Sequence, residues 1–348
     1  MFKFKKKQSI FKKIELPKTV YLGEKTLLKV KEAAIDYQNP LIVTGKKTAK
    51  IAGNKVKKFT DGDLLVVKKS DAENIEKAVS EIKQGYDTVI GVGGGNVMDT
   101  AKYSAYLTGI DYIAVPTNSS NDGIASPIAS LKLNGKKQSL KAKPPVAIVA
   151  DTRIIKKSPK MFIRAGFGDA IAKYTAVKDW NLGKIIKKEY YGDYASSLSV
   201  MISKIVMDNS IEIGKATDRG ISILMEALIS SGAAMGIAGS SRPASGSEHK
   251  FSHALDAIAE KPSLHGFQVG VGTIIMSYLH GANWRKIKQA LESAKCPTTA
   301  KQLGMDSDTV LKALMKAKEI RPERYTIIEH INFDKRIARN ALETTGVI

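Results

Sequence analysis

Cysteine is almost absent from this chain: Cys296 stands alone among 348 residues. A single thiol excludes an intrachain disulfide. With no His-Asn pattern beside it, it reads as a small packing residue suited to a reducing, cytoplasmic compartment. Long apolar runs are missing too. The longest, such as Ile221–Ile229, are broken by polar residues, so no stretch is expected to supply the roughly 20 apolar residues of a bilayer crossing. Aromatics make up only 7%, and neither an aromatic RNA-binding strand nor zinc-finger spacing is present, which argues against sequence-specific nucleic-acid binding. Acidic residues are outnumbered, 34 Asp and Glu against 55 Lys and Arg, for a net charge of +21. A field of that sign steers small anions inward and favours only non-specific contact with polyanions. The lysines are spread along the chain, many at helical spacing, and read as a solvated face.

What is there begins with a basic start, Met1 to Ile14, which lacks the continuous apolar core of a signal peptide. It could rest on an anionic membrane surface or be a frayed extension, residues 1–15, before a fold that begins near Pro17. The length suggests two domains, and 43% hydrophobic residues can furnish a core for each. Short β-rich runs at Leu41–Thr44, Leu64–Lys68, Thr88–Val92, Tyr112–Pro116 and Val146–Ala150 alternate with helical stretches at Ala72–Lys83, capped by Asp71, and Met98–Leu107. That alternation predicts an α/β, Rossmann-like domain over residues 1–160 with a mostly parallel sheet. From about 161 to 348 the spacing turns to 3.6 residues, as in Tyr194–Met207, Asp218–Ser231 and Thr309–Ile320, and predicts an all-helical domain. The active site is expected in the cleft between the two.

Three elements carry chemistry. Gly91-Val-Gly-Gly-Gly-Asn-Val-Met-Asp99 follows a strand and precedes a helix. Glycines there let a backbone approach a pyrophosphate at a helix N-terminus, although a tight crossover would look similar and the spacing is not the usual dinucleotide fingerprint. Asp99 falls in the first turn of the predicted helix, where it would offset the dipole. The second element, Pro116–Pro127, is rich in hydroxyls and amides and begins where a strand ends, the place where ligands bind in open α/β sheets. The third is a set of side chains. His249 and His253, four apart, share one helix face; His265 opens another predicted helix; and Asp169 lies in a Gly-Phe-Gly-Asp-Ala turn expected to open a third. A carboxylate with two imidazoles suits an open divalent-metal site such as zinc.

The run Gly93–Lys102 (GGG-x-x-x-D-x-A-K), Asp122–Pro127 (DGIASP), Gly166–Asp169 (GFGD), Ser247–Asp256 (SEHKFSHALD) and Leu264–Gly270 (LHG-x-QVG) together resemble the archaeal glycerol-1-phosphate dehydrogenases. These belong to a superfamily that includes metal-dependent alcohol dehydrogenases, glycerol dehydrogenases and dehydroquinate synthases. The likeness extends over nearly the whole chain from about Leu16. It implies metal ligation by Asp169, His249 and His265, and substrate contacts or catalysis by Asp122, Asp169 and His253, the last as a proton relay or a hydrogen-bond partner. It implies that NAD(P)H is held by Gly93, Gly94, Gly95, Asn96, Val97, Met98 and Asp99, by Thr117, Asn118, Ser119 and Ser120, and by Ser126. Asn96 and the stretch Asn118–Asn121 depart from the residues usual in relatives. The implied reaction is NAD(P)H-dependent reduction of dihydroxyacetone phosphate to sn-glycerol 1-phosphate, which supplies the glycerophosphate backbone of archaeal membrane lipids. Its rivals are a polyol dehydrogenase, a dehydroquinate-synthase-like lyase and a non-catalytic basic binding protein. A homo-oligomer is expected by family habit. After the strand at Leu41–Thr44 come Gly45, Lys46, Lys47 and Thr48, with no acid to bind a ribose 2′-hydroxyl, so NADPH is expected to be accepted.

Overall fold

The computed structural model describes residues 13–133 and 136–348, with the backbone alone at Lys136 and Lys137. Most of the basic extension, residues 1–12, therefore lies outside the described residues.

Among the described residues there are eight strands: β1 (Thr19–Gly23), β2 (Pro40–Thr44), β3 (Asp63–Val66), β4 (Thr88–Gly93), β5 (Asp111–Pro116), β6 (Ile128–Leu133), β7 (Lys136–Lys141) and β8 (Ala147–Asp151). Six form one sheet in the order β1-β8-β5-β4-β2-β3, and every pairing in it is parallel. The central strands β2, β4 and β8 are buried along their whole length, which explains why they read as unbroken apolar runs rather than alternating ones. The order reverses between β2 and β4, so the crevice beyond their carboxyl ends is the natural ligand position. Strands β6 and β7 form a separate antiparallel hairpin that sequence reading did not anticipate. β1 was also missed.

The longer helices are α1 (Ala72–Ile82), α2 (Gly95–Thr108), α3 (Lys160–Ile171), α4 (Lys173–Lys187), α5 (Asp193–Asp208), α6 (Asp218–Ala238), α7 (Ser247–Ile258), α8 (His265–Leu279), α9 (Trp284–Ser293), α10 (Ser307–Lys316) and α11 (Lys335–Thr344). Asp71 caps α1 as predicted, its carboxylate accepting from the Asn74 N–H. Past β8 the chain is helical, which gives the expected α/β part followed by an all-α part.

Three expectations need correcting. The Gly-Phe-Gly-Asp segment is no turn: Gly166 to Asp169 lie inside α3. Its glycines let neighbouring backbones come close, so that a Cβ at Gly168 would collide with the backbone of Gly266 on α8. Helix α6, at 21 residues, is long and apolar enough to cross a membrane by length and composition. Here it packs against α5 and α3, burying Leu224, Met225 and Leu228 completely. Finally, not every lysine is on a solvated face: Lys102, Lys173 and Lys250 are buried, each among carbonyl or carboxylate oxygens.

Candidate functional site

A cleft of about 520 Å³ opens between the sheet's carboxyl edge and the helical part, within the size usual for small-ligand sites. Gly95, Asn96, Asp99, Asp122, Ser126, His249, His253 and His265 all line it. From opposite halves of the sequence, the fold thus brings most of the expected residues to one place.

On the sheet side, β4 and β5 run parallel with Gly93 opposite Pro116, and the Thr117 N–H donates to the Gly93 carbonyl at 2.9 Å. The glycine turn and the polar loop are therefore neighbours. Gly94 caps α2 in an extended conformation without a side-chain hydrogen bond, which leaves the first N–H groups of the helix for an anion. Gly93, Gly94, Gly95, Met98, Asn118 and Ser120 surround a small hollow beside the main cleft. Val97, Thr117 and Ser119 are buried and border neither of these two spaces. Asp99 is not in the first turn, because α2 begins at Gly95 rather than at Met98. It sits a turn further in, 3.8 Å from Lys102. Lys102 in turn ties Gly123 and Ile128 together through their carbonyls at 2.7 and 2.8 Å, which fixes the loop that carries Asp122 and Ser126.

On the helical side, Asp169 near the end of α3, His249 in the first turn of α7 and His265 at the head of α8 present ligand atoms that all lie within 4.8 Å of one another. His249 Nε2 is 3.6 Å from an Asp169 oxygen. Its Nδ1 is 2.8 Å from Glu248 Oε1, and His265 Nδ1 is 3.0 Å from Ser252 Oγ. These contacts fix both rings, as the outer partners of metal-binding imidazoles do. Burial alone would raise the Asp169 carboxyl, but the Lys173 ammonium and then His249 and His265 hold it well below the usual carboxylate range, so it is a carboxylate at neutral pH. His249 is pushed down by burial but is raised overall by Asp169 and Glu248. One buried carboxylate and two oriented imidazoles are a donor set that fits a divalent metal.

Asp122 joins the two sides. Its N–H donates to Asp169 Oδ2 at 2.8 Å, while its own Oδ2 accepts from Ser231 of α6 at 2.7 Å and lies 2.9 Å from Lys173 Nζ. His253 is stacked on His265 with ring centroids 5.8 Å apart, and its Nδ1 is 3.9 Å from Asp256.

Sequence reasoning missed Glu248, Lys173, Ser231 and Ser252. Glu248 and Ser252 were within the quoted motif, next to or one turn from the histidines, so adjacency was the available signal. Lys173 stood four residues after Asp169, a helical ion-pair spacing. For Ser231 there was no signal.

Comparison with known proteins gives the family and the fold. A family model described as iron-containing alcohol dehydrogenase matches residues 24–159. The glycerol-1-phosphate dehydrogenase (NAD(P)+) of Pyrococcus furiosus is 46% identical, with 96% of this chain and 99% of that protein aligned. Its namesake from Thermococcus sibiricus is 47% identical, with 96% of this chain and 98% of that protein aligned. Among solved structures, a probable glycerol dehydrogenase from Sinorhizobium meliloti superposes with a TM-score of 0.79 at 18% identity, covering 96% of this chain and 97% of its own; at that identity the likeness is one of fold.

Proposed function

The chain belongs to the glycerol-1-phosphate dehydrogenase family, and from that premise we propose that it reduces dihydroxyacetone phosphate to sn-glycerol 1-phosphate with NAD(P)H. The observation that carries the reading is the meeting of the Asp169, His249 and His265 cluster with the uncapped start of α2 across one cleft.

Asp169, His249 and His265 would hold a divalent metal, zinc by our reading, which supplies a Lewis acid for the ketone oxygen, while the nicotinamide supplies the hydride. The rest is the work of side chains. The N–H groups at Gly95 and Asn96, with the Asn118 and Ser120 loop, seat the dinucleotide phosphates. Ser126, 3% exposed and on the cleft wall, assists in holding the dinucleotide. Lys46 and Lys47, exposed beyond β2, leave room for a 2′-phosphate. Asp122, held beside Lys173 and Ser231, accepts hydrogen bonds from the substrate hydroxyl and so orients the carbonyl for hydride arrival. As charge develops on the carbonyl oxygen, His253 delivers the proton, with Asp256 orienting its ring. Cys296 takes no part: its thiol is buried and burial pushes it far up.

NADPH oxidation with dihydroxyacetone phosphate beside dihydroxyacetone tests the reading. Turnover with the phosphorylated ketone is expected. Turnover with dihydroxyacetone alone would make the protein a polyol dehydrogenase.

A further inference from the structure

A phosphorylated ketone needs a cationic seat, and the two lysines of the motifs that identify the reaction, Lys102 and Lys250, are buried and bonded to protein oxygens. We propose that Arg321 and Arg324, on the loop between α10 and α11, form the seat for the substrate's phosphate dianion, together with Ser245. This rests on the reaction proposed above.

Both arginines line the cleft that holds the Asp122 and histidine set, alongside Ser241, Ser245 and Glu323. Arg324 is braced, with Nη1 donating to the Ser245 carbonyl at 2.6 Å and Nη2 to Ser241 Oγ at 2.8 Å. Its own carbonyl accepts from the buried Lys250 at 3.3 Å. That bracing uses two of five guanidinium donors and points to a preset position. Among the described residues neither arginine has a carboxylate within ion-pair distance, whereas their neighbour Arg242 is neutralised by Glu189. The two cations are thus held near each other and partly out of water without a directly paired carboxylate, and Glu323, Glu248 and Glu189 act on them only from beyond that distance. Burial first, then the charges of Arg321 and Arg242, bring Arg324 down to about 10, and burial also lowers Arg321. Two guanidinium groups in that condition favour a doubly charged anion that forms paired hydrogen bonds.

Two further observations point the same way. Arg321 has φ 48°, the left-handed region where glycine is at ease and other residues are strained. It also precedes Pro322, which favours an extended predecessor. Strain of that kind is kept where a side chain has work to do. Ser245, 6% exposed, has a buried hydroxyl with no hydrogen-bond partner among the described residues, a donor awaiting an acceptor. Lys132 also lines the cleft, but it lies on β6 beside Ser70, to whose carbonyl its N–H donates at 2.8 Å, on the side of the sheet-borne residues.

The test compares wild type with Arg321→Gly, Arg321→Lys and Lys132→Ala, using dihydroxyacetone phosphate, dihydroxyacetone, NADPH and NADH. Wild type first has to turn over the phosphorylated ketone; if it does not, the proposed function itself fails. Given that turnover, Arg321→Gly is expected to raise KM for dihydroxyacetone phosphate about 10- to 100-fold and to lower the preference for the phosphorylated over the plain ketone by a similar factor. Its melting temperature should be equal or higher, because glycine relieves the backbone. Arg321→Lys should recover part of the preference. An unchanged KM in Arg321→Gly would overturn the proposal. So would a loss confined to the KM of NADPH and absent with NADH, which would assign the arginine to the cofactor phosphate. A loss carried by Lys132→Ala instead would also overturn it.

Discussion

Replacing Gly168 with alanine tests how the metal ligands are brought together. In the interior of a helix that change ordinarily stabilises by about 0.5–1 kcal/mol. Here α3 crosses α8 at Gly168, and an added methyl carbon would lie 2.9 Å from the Gly266 carbonyl carbon, with the oxygen closer still. Carbon atoms rest at roughly 3.5 Å or more, so the two backbones must part by at least about 0.6 Å. Overpacking of this kind costs about 1–3 kcal/mol, enough to reverse the sign expected from helix propensity. The displacement falls on two proposed ligands at once, because Asp169 follows Gly168 and His265 precedes Gly266. Metal–ligand distances tolerate only about 0.2 Å. Gly168→Ala is therefore expected to melt about 1–4 °C below wild type and to bind metal at least about 10-fold more weakly. Thermal melts with and without added metal measure both, since a bound metal raises the melting point by mass action. A variant that melts at or above wild type and gains as much from metal would refute the reasoning.

Two other perturbations address neighbouring parts of the site. Glu248→Gln leaves the geometry but removes the carboxylate 2.8 Å from His249 Nδ1; metal affinity should fall about 10- to 100-fold in a competition titration with a coloured chelator, with the fold retained. Asp179, fully buried, accepts from Ser247, Ile327 and His280. Burial would raise its carboxyl, but the His280 and Ser247 contacts lower it overall. Its folded pKa thus lies below the unfolded value of about 3.9, so its stabilisation is complete above that pH and is lost as pH falls through the folded value. Asp179→Asn should be less stable than wild type by a constant margin above about pH 4, and the margin should shrink below it in denaturant titrations. A margin that grows on acidification would contradict this.

The parts of the fold that showed in the sequence are those where one physical requirement dominates. Strands buried on both faces must be apolar throughout, so β2, β4, β5 and β8 stood out. The short edge strand β1, half exposed as Thr-Val-Tyr-Leu-Gly, carries no such demand. The β6–β7 hairpin was missed because its strands mix polar and basic residues with the apolar ones, as in Ile-Ala-Ser-Leu-Lys-Leu and Lys-Lys-Gln-Ser-Leu-Lys. The glycines of α3 were misread because a helix breaker and a close-packing residue look alike until the partner helix is known. The metal-type residues were legible because imidazole is rare here, with only five histidines in the chain. Lys173 and Arg321 were not, because among 55 basic residues only burial and backbone strain set them apart.

The most direct measurement is the activity of the protein stripped of metal by a chelator and then reloaded, beside His265→Ala treated identically. The account predicts that reduction of dihydroxyacetone phosphate disappears on stripping and returns with zinc or another divalent ion, while His265→Ala stays folded, retains no metal and does not recover. Undiminished turnover in protein shown to contain no metal would contradict it.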